Sequence, residues 1–101
     1  MKTIIISDLH NRVDFVELVL LSPVLIPYDN VIFLGDYFDD YNDTLEDAAN
    51  SAEWLKKSIY KPNRIHLMGT HDVWYRFTGN SFVSASGNTE WKANIINDIL
   101  T

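Results

Sequence analysis

Three short apolar runs, separated by stretches with helical patterning, constrain the fold of this chain more than any other feature. Residues Lys2 to Ser7 carry Ile4, Ile5 and Ile6 in a row. Residues Asn30 to Leu34 read NVIFL and are closed by Gly35, and residues Arg64 to Met68 read RIHLM and are closed by Gly69. Continuous β-branched and apolar residues suit strands covered on both faces. Between the first two runs, Asn11 and Asp14 stand at capping-box spacing, with Asp in place of Glu or Gln. Val13, Val16 and Leu20 then supply an apolar helix that Pro23 ends. Thr44 and Asp47 repeat the cap spacing ahead of Ala48, Ala49, Ala52, Trp54 and Leu55, and Pro62 stops that helix around Tyr60.

The order β-α-β-α-β predicts an α/β fold, three-layered in outline, with at least three parallel strands joined by right-handed crossovers. The Gly-, Ser-, Thr- and Asn-rich stretch from Thr78 to Asn88 reads as loop. Thr89 then caps a C-terminal helix whose apolar side carries Trp91, Ile95, Ile96, Ile99 and Leu100. A length of 101 residues supports one domain, residues 1–101.

The chain has 14 acidic and 8 basic side chains and a formal charge of −6. That balance opposes binding to nucleic acid backbones and anionic membranes, which both require excess Lys and Arg. It suits cations or a basic protein partner. With no cysteine, neither a disulfide nor a thiolate metal site can form. The N-terminus runs straight into an apolar run without a signal-peptide layout, and the stretch from Val13 to Ile26 is broken by Asp14, Glu17 and Pro23. These features predict a soluble, cytoplasmic protein that does not enter membranes.

Each strand is followed by a cluster of potential ligands: Asp8 and His10, then Asp36 and Asp39, then His71 and Asp72. In a parallel sheet the carboxyl ends of the strands share one edge, where ligands bind, so the three clusters should converge. Crowded carboxylates repel one another, and a cation holds them together. Carboxylate and imidazole donors without thiolate suit Mn, Fe or Zn. His66 lies within the third strand outside any cluster and is read as structural.

The blocks Asp8-Leu9-His10, Gly35-Asp36-Tyr37-Phe38-Asp39 and Gly69-Thr70-His71-Asp72 resemble the first three signature blocks of the calcineurin-like metallophosphoesterases, D-x-H, G-D-x-x-D and G-N-H-D/E. The resemblance covers roughly residues 3–72, in the family's order and on the expected elements. It implies that Asp8 and His10 bind one metal and that Asp36 bridges two. It further implies that His71 acts as general acid near the leaving group, oriented by Asp72, while Asp39 orients a ligand or water. The implied chemistry is metal-assisted attack of hydroxide on a phosphoester, with paired metals stabilising the attacking and leaving oxygens.

The sequence departs from the family pattern at Thr70, which stands where the family has an Asn that ligates the second metal. The family's later histidines also have no counterpart, since the only histidines are His10, His66 and His71. The chain is therefore expected to be the N-terminal half of such a domain, with a single weakly held cation and weak or lost hydrolysis. The alternative class is a catalytically silent, small acidic protein that inhibits a basic or nucleic-acid-binding partner, as phage anti-CRISPR inhibitors do. The acidic run of Asp36, Asp39, Asp40, Asp43, Glu46, Asp47 and Glu53 would provide the anionic face. Trp54, Trp74, Tyr75, Phe77 and Trp91 read mainly as core residues, some of them facing the missing half. An incompletely covered sheet then predicts a homodimer or a basic protein partner.

Overall fold

The computed structural model describes residues 2–21, 28–76 and 87–101. The elements run β1 (Thr3–Ile6), α1 (Val13–Leu20), β2 (Asn30–Phe33), α2 (Leu45–Ser58), β3 (Arg64–His66), α3 (Thr70–Arg76) and α4 (Glu90–Leu100). The strands form one parallel sheet in the order β1-β2-β3, which bears out the α/β reading and the C-terminal helix. The helix α3 was not foreseen. Pro23, Phe77 and residues 78–86 of the expected loop lie outside the described residues.

The register decides which side chains are covered. Ile4 pairs with Val31 and Ile6 with Phe33, while Val31 pairs with Arg64 and Phe33 with His66. Those residues share the face that carries both crossover helices. Trp54 of α2 packs edge-on against Phe33, and Glu17 of α1 reaches Arg64 at 2.7 Å. The alternate row, Ile5–Ile32–Ile65, points the other way, and Ile5 and Ile65 remain 64% and 55% exposed. The expected coverage of both faces is therefore corrected: among the described residues the sheet has one covered face and two layers. Right-handed crossovers along a sheet built in one direction put every crossover helix on the same side.

The three cap predictions came out differently, and Thr89 stands at the N-cap of α4 without a side-chain cap bond. Thr44 and Asp47 form the reciprocal capping box of α2, with Asp47 N donating to Thr44 Oγ1 and Thr44 N to Asp47 Oδ2. Asn11 does not cap α1, whose N-cap is Arg12 with no side-chain cap bond. Its amide donates to Asp43 Oδ2 and accepts from Ser51, so tertiary bonds have taken the groups that a cap would use. Of the aromatics, Tyr75 is fully buried, Trp54 and Trp74 pack partly buried against the core, and Trp91 is 45% exposed. None of the described helices is long and apolar enough to cross a membrane.

Beneath the covered face runs a chain of polar contacts. Arg64 donates to Glu17 and to Ser58 Oγ, the Ser58 hydroxyl lies 2.8 Å from His66 Nε2, and His66 Nδ1 lies 3.1 Å from the Tyr37 hydroxyl. Tyr37 in turn donates to the carbonyl of Leu67. His66 also stacks flat on Phe33, with ring centroids 4.5 Å apart. Every polar atom of the ring is engaged, in keeping with a structural role.

Burial, helped by the nearby Arg64 charge, pushes the His66 pKa down to about 4. The folded state therefore holds the ring neutral, whereas the unfolded chain protonates it below about pH 6.5. Stability from this residue is full above about pH 6.5 and is lost as the pH falls toward 4. For a half-buried ring the loss is roughly 2 kcal/mol. Urea denaturation from neutral pH downward should show a shallower pH dependence for His66→Gln than for the wild type. Equal slopes would count against a strained neutral histidine.

Candidate metal centre

The loops after β1 and β2 are locally strained and mutually stitched. Asp8, His10 and Asn11 after β1, and Asp36, Asp39 and Asn42 after β2, all take positive φ, which costs a non-glycine residue of order 1 kcal/mol. His10 N donates to Asp36 O and Asn11 N to Tyr37 O, each at 2.8 Å. These bonds hold the two loops side by side.

The ends of β2 and β3 approach backbone to backbone. A Cβ on Gly35, whose φ is +107°, would lie 2.0 Å from Gly69 N, and a Cβ on Gly69 would lie 2.3 Å from Asp36 Oδ1. Glycine at both positions is a steric requirement. The Asp72 carboxylate accepts from Gly69 N at 2.9 Å, Asp36 N at 2.6 Å and Tyr37 N at 3.0 Å. Its pKa is raised, burial outweighing the backbone bonds that favour the charged form. Burial, with the Asp72 charge, also pushes the Tyr37 phenol above its usual range. Asp36 Oδ1 accepts from His71 N at 3.0 Å, which ties the second cluster to the third.

This scaffold brings Asp8, His10 and Asp36 together, each offering one ligand atom within 4.8 Å of the others. Among the described residues it is the one such group of His, Asp and Glu. The Nδ1 of His10 lies 2.9 Å from Phe38 O, so it donates its proton there and leaves Nε2 as the lone-pair atom. That Nε2 faces Asp8 Oδ1 at 3.7 Å. A lone pair facing a carboxylate across that gap is a donor set with room for a cation between its members.

Beside it, the His71 and His10 rings meet edge to face at 4.8 Å. His71 Nδ1 lies 3.2 Å from Asp39 Oδ2. The geometry thus differs from the expectation that Asp72 orients His71. Asp72 spends its oxygens on backbone N–H groups, and Asp39 stands at the imidazole instead. Thr70 opens α3 at the surface.

Sequence reasoning missed the groups that hold Asp39. Its Oδ1 accepts from the Tyr75 hydroxyl and from Lys92 Nζ, and its Oδ2 accepts from Asn88 Nδ2 at 2.6 Å. Burial and the bond to Asp39 push the Tyr75 phenol above its usual range. Neither Tyr75 nor Lys92 belongs to a motif.

The sequence profile of the calcineurin-like phosphoesterases matches residues 1–99. The chain belongs to the calcineurin-like phosphoesterase family. No curated protein matches it, and neither does any solved structure. Members of this phosphoesterase family usually bind divalent metals, and Asp8, His10 and Asp36 form a cluster suited to one. The D-x-H and G-D-x-x-D blocks occupy the loops after β1 and β2 of the phosphoesterase sheet, and G-T-H-D spans Gly69 and the first turn of α3.

Asp72→Asn tests the joint between the second and third blocks. An amide would present N–H to at least one of the three backbone donors and leave it unpaired. The expected cost is about 1–3 kcal/mol, read as a lowered urea midpoint with unchanged m-value. An unshifted midpoint would show that the carboxylate does not hold this turn.

Proposed function

We propose that the chain is a divalent-metal-binding phosphoesterase-family protein in which Asp8, His10 and Asp36 hold one cation and phosphoester hydrolysis is weak or lost. The observation that carries this reading is the convergence of those three donors within 4.8 Å, with His10 Nε2 left as its lone-pair atom. Carboxylate and imidazole without thiolate suit Mn, Fe or Zn. A cation bound there would polarise a phosphoryl oxygen and offset developing negative charge.

The chain's own residues supply the remaining roles. Asp39 accepts from His71 Nδ1 and so orients the ring: the neutral imidazole keeps its lone pair at Nε2, and the imidazolium gives its Nε2 proton to a departing alcohol. Asp72 contributes indirectly by holding the turn that carries Asp36. Thr70 offers a short neutral hydroxyl where the family pattern has an amide, a poorer ligand for a second cation. His66 is committed to Ser58 and Tyr37. These features favour one weakly bound ion over a paired centre. The cytoplasmic setting expected from the sequence belongs to the same proposal.

Calorimetric titration with Mn²⁺ should detect binding to the wild type and at least roughly tenfold weaker binding to Asp36→Asn and His10→Ala. Turnover of an aryl phosphate with Mn²⁺ should stay near background in all three. Absence of any Mn²⁺ binding would overturn the metal reading and favour the silent acidic binder. Strong turnover abolished by Asp36→Asn would restore a full two-metal enzyme.

The partner favoured by the surface is a second copy of the chain. Much of the acidic run has internal partners: Asp39 and Asp43 pair with Lys92, Asp40 with Arg12, and Asp47 with the Thr44 cap. The Ile5–Ile32–Ile65 row, by contrast, carries no charge. An uncharged apolar face gives a basic protein nothing to attract, and its best complement is another such face. Light scattering should report a dimer at low and at high salt, and a monomer for Ile5→Lys combined with Ile65→Lys. A wild-type monomer in both conditions would refute self-association, and a complex that salt dissolves would point to the basic partner.

A further inference from the structure

The Lys92 ammonium is sealed inside the protein, with the residue 3% exposed. It has three N–H groups and three acceptors: Asp39 Oδ1 at 3.1 Å, Asp43 Oδ1 at 2.7 Å and Gly87 O at 2.9 Å. Burial alone would lower its pKa, but hydrogen bonds to Asp43 and Asp39 outweigh that and hold the group charged. Both carboxylates are themselves anchored. Asp43 accepts from Asn11, which Ser51 of α2 holds in turn. Asp39 receives Tyr75, Asn88 and His71. The four acceptor positions of Asp39 thus meet four donors, and Lys92 is the one that carries a fixed positive charge.

We infer that Lys92 is a positioning residue for His71, acting through Asp39 and coupling the C-terminal helix to the candidate site. The inference rests on the reading of His71 as proton donor. Stability alone does not account for the lysine, because a buried ion pair contributes little over well-packed apolar groups. What it does is separate two buried carboxylates that would otherwise face one another. The two carboxylates meet at one nitrogen, at 3.1 and 2.7 Å, so without the ammonium their repulsion turns Asp39 away from Asp43 against the hold of Tyr75 and Asn88. Its Oδ2 sits on the same rigid group as Oδ1, so the turn withdraws the acceptor from His71 Nδ1. The ring then loses the bond that selects its tautomer. The cation acts on the imidazole at one remove, touching neither the ring nor the three proposed metal ligands.

The experiment is nitrogen-15 NMR of the histidine rings in the metal-free protein at about pH 8, above the ordinary histidine range. The wild type should show His71 with its proton on Nδ1. Lys92→Met should move that signal toward the Nε2–H tautomer or a mixture, while His10, held by Phe38 O, keeps its own. Ile96→Val loosens the same helix at a fully buried position without removing a charge, and should leave His71 unchanged. An unmoved His71 in Lys92→Met, or an equal shift in Ile96→Val, overturns the inference. Should Lys92→Met fail to fold, the wild type still decides. One lysine ammonium must then be slow to exchange with water and close to the His71 ring protons, and its absence overturns the inference as well. A failure of Mn²⁺ binding strikes the proposed function alone, since no metal enters these spectra.

Discussion

The turn around the Asp72 carboxylate is the constraint on which the site depends. Two glycines let the ends of β2 and β3 touch, at a distance that any Cβ would forbid. That contact leaves three backbone N–H groups converging without strand partners, and one carboxylate accepts them all. Asp36 can then adopt a left-handed conformation and receive His71 N on its own side chain. The strain is local and the compensation is tertiary, the usual condition under which unfavourable backbone persists at a functional site.

Around that joint the protein keeps two polar networks apart. One lies under the sheet and links Glu17, Arg64, Ser58, His66 and Tyr37, tying α1, α2 and β3 together. The other lies at the strand ends and links Asn11, Asp43, Lys92, Asp39 and His71. Each network is satisfied internally, which removes most of the penalty for burying charge. The consequence differs between them. The first makes an inner histidine inert, while the second holds a histidine beside three potential metal ligands.

Much of the site was legible because its residues are local to motifs. The D-x-H, G-D-x-x-D and G-T-H-D blocks each follow an apolar run, and parallel topology sends all three to one edge. Their assembly required no knowledge of packing. The division of labour between Asp39 and Asp72 was not legible, since both follow glycine-led turns and both are acids near His71. Which carboxylate reaches the imidazole depends on the direction the chain takes after Gly69. Lys92 was hidden for a different reason. Its partners Asp39 and Asp43 are about half the chain away, and a lysine near the start of a helix ordinarily faces water.

The sequence by itself determined the order of elements, the parallel sheet, the second capping box and the residues offered at the strand ends. These follow from side-chain period, cap chemistry and the excluded volume of glycine, all properties of short segments. Only the tertiary structure decided that both crossovers share one face, that Ile5 and Ile65 stay uncovered among the described residues, that Asn11 serves Asp43 and Ser51 instead of a helix, and that Lys92 sits between two aspartates. Those outcomes depend on which distant groups compete for the same donor, acceptor or apolar contact. That competition is settled by packing between elements, and no short segment carries the information in advance.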